Sequence, residues 1–346
     1  MCEAKKIKCI VWDLDNTIWN GTLLEDHNVV LKMNIVEMIK ALDERGILHS
    51  IASRNDYQIA MDKIKEFGIE EYFLYPQINW GSKAAAVKKI AESINIGLDS
   101  LAFVDDQLFE LEEVKDSYPE VLCINASETG GILAMPGMMP KFFTADSKMR
   151  RTMYLNDIKR NELEADFAGP KASFLSSLHM VFSITEATEE DLKRAEELTV
   201  RTHQLNTTGY TYSYEELDQF RKSANHRLYI CGLEDKYGTY GKIGLVLVEV
   251  KDSAWIIKLL LMSCRVMTRG GGNVLITWMI QEAIRNKTRL LAEFIPTDRN
   301  RMMYMTYKFM RFNEKEKMDH VTVLENDLSY MPKFPDYIKI NDFRVS

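Results

Sequence analysis

Ile7-Lys8-Cys9-Ile10-Val11-Trp12-Asp13-Leu14-Asp15-Asn16-Thr17 is a short, largely β-branched and apolar run that breaks into two carboxylates two residues apart. Such a run predicts a buried strand over residues 7–11 with a polar loop at its carboxyl end. Working outward, residues 48–52, 73–78, 101–104 and 121–124 read as further strands. Between them, residues 35–45, 56–67, 82–94 and 107–117 carry apolar side chains at helical spacing, closed by glycines such as Gly46, Gly68 and Gly97. Alternation of this kind calls for right-handed crossovers and a parallel sheet with helices on both faces.

The pattern predicts a Rossmann-like α/β domain over residues 1–125. Residues 126–147 lose all period and are punctuated by Gly130, Gly131, Pro136, Gly137 and Pro140, so they read as a connector. A charged helix over 148–166 opens a second, mixed α/β domain, 148–346. It continues with a strand over 180–184, a helix over 189–201 and three consecutive strands, 228–233, 243–250 and 255–262, expected to be antiparallel. A glycine-rich turn, a helix over 274–284, a strand over 290–295 and a helix over 299–310 complete the pattern. A chain of 346 residues exceeds what one core usually holds, which agrees with two domains.

The formal net charge is −7 with no basic block, which argues against nucleic acid as a partner. Hydrophobic residues at 46% supply a sizeable core. The cysteines, Cys2, Cys9, Cys123, Cys231 and Cys264, are odd in number and form no metal-ligand spacing, as expected of reduced thiols in a cytoplasmic protein. The amino terminus leads into a short strand-like run instead of a signal-peptide core, so no export is expected. The most apolar stretch, 254–264, is interrupted by Lys258 and is too short to cross a bilayer, so no membrane association is expected.

In an open parallel sheet, ligands bind beyond the carboxyl ends of the strands. Asp13 and Asp15, Ser53-Arg54-Asn55, Lys83 and the pair Asp105-Asp106 all fall there. Clustered carboxylates repel one another unless a cation sits among them, and an all-oxygen ligand set suits Mg²⁺. The cation also lets an anionic carboxylate approach an anionic phosphate. One aspartate can then attack phosphorus while the other protonates the leaving oxygen and later activates water. Ser53 and Lys83 would hold phosphoryl oxygens. Asp-x-Asp after a strand is also a common turn, but four elements in order, each at a strand end or helix start, favour a site.

These motifs resemble the haloacid dehalogenase superfamily. The stretches Val11-Trp12-Asp13-Leu14-Asp15-Asn16-Thr17-Ile18-Trp19, Ile78-Asn79-Trp80-Gly81-Ser82-Lys83 and Phe103-Val104-Asp105-Asp106 resemble its FkbH-like branch (subfamily IIIC), which loads glyceryl units onto acyl carrier proteins. The resemblance implies Asp13 as nucleophile, Asp15 as general acid/base, and Ser53, Asn55 and Lys83 as phosphate-binding residues. It implies Asp13, Asp15 and one of Asp105 or Asp106 as Mg²⁺ ligands. Gln107-Leu108 stands where the branch usually has Asn-Pro.

In the second domain a strand leads into Ser263-Cys264-Arg265, then Arg269-Gly270-Gly271-Gly272-Asn273, then a helix, an arrangement that makes an anion site from backbone N–H groups. It resembles the pyrophosphate loop of the GCN5-related acetyltransferases, which bind coenzyme A, and Asn300, Tyr307 and Phe312 resemble that fold's later helix. Val274 and Arg311 depart from that pattern, which therefore speaks for the fold more than for the activity. Free cysteines are mostly small buried hydrophobes, the reading taken for Cys2, Cys9, Cys123 and Cys231. Cys264 differs, because Arg265, Arg269 and a helix amino terminus favour a thiolate there. In the FkbH-like branch a cysteine accepts the acyl group as a thioester, and Ser-Cys-Arg before the turn resembles that motif. The run Arg201-Thr202-His203-Gln204-Leu205-Asn206-Thr207-Thr208 resembles the branch as well, and the likeness extends over roughly residues 7–315. His203, Asn206, Arg265 and Asn300 are candidate acyl-site neighbours.

Taken together, the resemblance implies a glyceryl transferase and phosphatase. It would take a 3-phosphoglyceryl unit from 1,3-bisphosphoglycerate as a thioester, dephosphorylate it and load glyceryl onto an acyl carrier protein. The rivals are an acyl-CoA-dependent N-acyltransferase with a scaffold phosphatase-like domain, and a non-catalytic carrier-protein-binding protein.

Overall fold

The computed structural model describes residues 6–26 and 28–343. Contact density divides the chain into two compact units, Met1–Leu155 and Asn156–Ser346. Cys2 lies outside the described residues.

The first unit contains β1 (Cys9–Trp12), a short hairpin of β2 (Trp19–Asn20) and β3 (Val30–Leu31), then β4 (Leu48–Ser53), β5 (Gln77–Ile78), β6 (Leu101–Asp105) and β7 (Leu122–Asn125). Every residue of β1, β4 and β6 is buried, as expected where helices cover both faces of a parallel sheet. The order is β5-β4-β1-β6-β7, all parallel, with Cys9 opposite Leu48 on one side and Leu101 on the other. The chain runs outward from β1 to β5 and returns to the other side at β6. The crevice between the ends of β1 and β6 is therefore the topological switch point where this architecture binds ligands.

Local chemistry sets the helices that frame the crevice. Tyr57–Glu66 starts at Asp56, whose carboxylate accepts from Ile59 N at 3.0 Å, and Lys83–Ile94 starts at Ser82, which accepts from Ala85 N at 3.1 Å. Each cap contributes about 1 kcal/mol. Gly68 leaves its helix at φ 68°, as its sequence position suggested. Asn95 at φ 59°, not Gly97, takes the left-handed cap after Ile94, since a short amide side chain tolerates that conformation. The segment 126–147, expected as a connector, sends Ile132 and Met138 into the first unit's core. The two units part at Leu155, later than the expected start of the second domain.

The second unit is built on β8 (Met180–Glu186), β9 (His226–Asp235), β10 (Gly238–Lys251), β11 (Ala254–Met262), β12 (Arg289–Phe294), β13 (Phe312–Met318), β14 (Val321–Asn326) and β15 (Ile338–Phe343). They form one mixed sheet, β13-β14-β12-β11-β10-β9-β8-β15. β9, β10 and β11 are antiparallel neighbours, as expected, while β11 and β12 are parallel and joined by the almost wholly buried helix Gly271–Arg285. The unit does not end at the helix after β12, as the sequence pattern suggested: β13, β14 and β15 follow. β13 reads Phe312-Asn313-Glu314-Lys315-Glu316-Lys317-Met318 with only Phe312 buried, the charged composition of an edge strand, which hides its periodicity. The helices Lys171–Ser177 and Tyr214–Lys222 also escaped the sequence pattern.

Candidate active site

Asp13 follows β1 directly, its N–H bonded to Val104 O at 2.9 Å, and its side chain is buried. Lys83, at the first position of its helix and 4% exposed, donates from Nζ to Asp13 Oδ1, to Asp105 Oδ2 at 3.0 Å and to Ala52 O at 2.8 Å. An ammonium has three donors, and these contacts use them all. Burial pushes the Asp13 carboxyl up to about 7, against the pull of Lys83 and with the repulsion of Asp105. The Ser53 hydroxyl is hydrogen-bonded to Asp13 and favours its ionised form. On Lys83, burial works against the charged form, yet the two carboxylates outweigh it and hold the ammonium above its ordinary value.

Asp106 is half-buried, and burial followed by Asp105's charge pushes its carboxyl up. Asp13, Asp105 and Asp106 each offer an oxygen within 4.8 Å of the others. Three carboxylates against one ammonium leave excess negative charge in a largely desolvated crevice. That charge and the all-oxygen donor set fit a hard divalent cation such as Mg²⁺. Two further buried oxygens of the first unit, Thr17 Oγ1 and Glu110 Oε2, have no hydrogen-bond partner.

Asp15 stands apart from this trio. Its Oδ1 accepts from Trp19 Nε1 at 2.8 Å and Leu23 N at 3.1 Å, and its Oδ2 from Asn55 Nδ2 at 3.1 Å. These three donors hold the Asp15 carboxylate in one orientation. Asn55, expected at the phosphate, thus orients Asp15, and its Oδ1 accepts from Asp56 N. The sequence reading missed Trp19 as an orienting residue, although it lies in the quoted motif.

In the second unit Cys264 is half-buried, at the start of a 3₁₀ turn, Cys264–Arg269, that follows β11. Gly270 at φ 80° then turns the chain into the helix Gly271–Arg285, so the expected turn and helix amino terminus are present. Arg265 donates to Tyr240 O at 3.0 Å. Arg269 is buried and donates to Glu164 at 2.6 Å and Asn161 at 3.0 Å, so Glu164 compensates the charge expected to act on the thiol. Burial pushes the Cys9 and Cys231 thiols up, as suits inert core residues, and Cys123 likewise.

The run 205–208 is buried where β11 and β12 cease to pair. Thr207 N donates to Leu260 O (3.1 Å) and Ile295 N to Thr207 O (3.0 Å), while Met262 N donates to Leu205 O at 2.9 Å. Asn206 and Asn300 are fully buried members of this stitch: Asn300 Nδ2 donates to Asn206 O (3.0 Å) and Ile295 O (2.9 Å), and Asn300 Oδ1 accepts from Thr297 N (2.8 Å). Asn206 Oδ1 accepts from the N–H groups of Thr208 and Gly209. His203, by contrast, is exposed. The Tyr307 hydroxyl is buried without a hydrogen-bond partner.

No protein-family model matches the chain. No curated protein sequence matches it either. Among solved structures, it is similar to the N-terminal part of the protein BF1531 from Bacteroides fragilis, which contains a phosphatase domain complexed with Mg: 30% identity over 35% of this chain and 36% of that chain, TM-score 0.33. It is also similar to the ribosomal-protein-S18-alanine N-acetyltransferase from Escherichia coli, at 13% identity over 44% of this chain and 97% of that one, TM-score 0.35. The PaiA N-acetyltransferase from Thermoplasma acidophilum, in complex with coenzyme A, matches at 12% identity over 42% and 98%, TM-score 0.34. The fold assignment rests on the strand order and pairing described above.

Proposed function

We propose that the chain is a Mg²⁺-dependent phosphatase of the haloacid dehalogenase type coupled to glyceryl transfer. The observation that carries the reading is the buried Asp13–Lys83–Asp105 group at the switch point of a parallel sheet, with Asp106 in reach of the same cation. When bound, Mg²⁺ offsets the carboxylates' charge and polarises the phosphate. The Asp13 carboxylate attacks phosphorus, the P–O bond to the substrate breaks, and Asp15 gives the leaving oxygen its proton. Asp15 then takes a proton from water, whose oxygen attacks the aspartyl phosphate and releases inorganic phosphate. Lys83 holds Asp13 in place, and Asn55, Trp19 and Leu23 N keep Asp15 oriented.

In the second unit the Cys264 thiolate attacks the carbonyl carbon of the acyl phosphate of 1,3-bisphosphoglycerate. The C–O bond to phosphate breaks, phosphate leaves, and a 3-phosphoglyceryl thioester forms. After removal of the remaining phosphate, the thiol of an acyl carrier protein takes over the glyceryl group and frees Cys264. Support comes from the half-buried thiol beside a glycine turn and helix amino terminus. Phosphate release from a generic aryl phosphate tests the first half. It is expected to require Mg²⁺ and to fall on the order of 10³-fold or more in Asp13→Asn, and unchanged release in that variant would remove the phosphatase reading.

A further inference from the structure

The helix Arg301–Phe309 buries Met303 and Tyr307 and turns three large apolar side chains outward: Met302 at 52% exposed, Met305 at 42% and Phe309 at 80%. Residues 302, 305 and 309 share one stripe of a helix, on a different face from 303 and 307. Exposed apolar residues scattered singly need no explanation, whereas a contiguous stripe of them marks a surface that a partner covers. Beyond Phe309 the stripe runs into a groove that this ring lines together with Arg311, Tyr330 and Pro332.

Charge and position decide which partner fits. Arg301 and Lys308 are exposed and flank the stripe, four residues before Met305 and three after it. Among the described residues neither side chain has an ion pair or hydrogen bond, whereas Asp298 pairs with Arg299 at 3.8 Å and Glu314 accepts from Tyr304 Oη. The face thus offers positive charge beside an apolar centre, the complement of an acidic surface with an apolar centre of its own. It also starts close to the thiol. Asn300, which opens the helix, donates to Asn206 O at 3.0 Å, and the neighbouring Leu205 O accepts at 2.9 Å from Met262 N, two residues before Cys264. Acyl carrier proteins are commonly acidic and helical. We propose that the outer face of the helix Arg301–Phe309 docks the acyl carrier protein, whose carboxylates meet Arg301 and Lys308 while an apolar side chain seats against Met305 and Phe309. The assignment rests on the proposed glyceryl transfer to a carrier protein.

Anisotropy of a fluorescently labelled holo-acyl carrier protein of the bacterial fatty-acid type, titrated with the full chain, tests it. Arg301→Glu combined with Lys308→Glu is expected to weaken binding about 10- to 100-fold and to flatten its dependence on salt. Phe309→Ser is expected to weaken binding about 10-fold at every salt concentration. Formation of the Cys264 adduct, and glyceryl transfer to free pantetheine, which needs no protein surface, should stay at wild-type levels. Unchanged carrier binding in both variants, or none by the wild type, overturns the docking face. So does self-association, read by sedimentation, that Phe309→Ser abolishes while carrier binding persists, since a second copy of the chain would then be the occupant. Should the double variant not fold, Phe309→Ser and Lys308→Ser decide by the same readings. Carrier binding that these variants weaken, on a chain that acquires no adduct, overturns the glyceryl reading and upholds the docking face.

Discussion

Lys83 is the residue on which the first site turns, because it is ion-paired with two buried carboxylates. Lys83→Met leaves Asp13 and Asp105 facing each other without a cation, which is expected to cost about 3–5 kcal/mol in urea unfolding. Mg²⁺ should restore part of that loss, and an unchanged midpoint without metal would contradict the arrangement. His49 carries a separate pH dependence. Its Nδ1 accepts from Trp12 Nε1 at 3.0 Å, so Nε2–H donates to Ile39 O at 3.1 Å, and burial drives the imidazole from its usual 6.5 down to about 3. The folded state therefore stays neutral where the unfolded chain takes up a proton. Stability from this group is complete above about pH 6.5 and falls with acidification toward about pH 3, by up to about 1.4 kcal/mol per unit. Subtracting the unfolding curve of His49→Gln from wild type should isolate that slope. A difference that is flat across the same window would exclude it.

At the scale of elements, the segment that fills the opening between β11 and β12 behaves as an added strand held by two asparagines. Asn300→Ala leaves Asn206 O and Ile295 O without their side-chain donor, which is expected to cost about 1–3 kcal/mol. Amide exchange should quicken at Thr207 and Ile295. Loss of stability without local exchange would place the role of Asn300 elsewhere. Sequence reading found both asparagines but could not tell an acyl-site neighbour from a backbone clasp, since the difference lies in contacts 94 residues apart. The strand-end carboxylates, Ser53 and Lys83 were legible because local periodicity puts them at one edge of the sheet. The pairing of Arg269 with Glu164 was not, because it exists only after distant segments meet. β13 escaped for a different reason: an edge strand defended by charge carries no apolar alternation.

At the scale of the molecule, each unit has its own hydrophobic core and one of the two chemistries proposed. Among the described residues no helix is long and apolar enough to cross a membrane. The proposal joins the units through one covalent species, a phosphoglyceryl thioester on Cys264 that the Asp13 site dephosphorylates. Intact-protein mass spectrometry, after incubation with Mg²⁺ and enzymatically generated 1,3-bisphosphoglycerate, follows that species directly. Wild type is expected to carry a glyceryl adduct, Asp13→Asn a phosphoglyceryl adduct, and Cys264→Ala none. No adduct on wild type or Asp13→Asn, or the same adduct on Cys264→Ala, would contradict the thioester route.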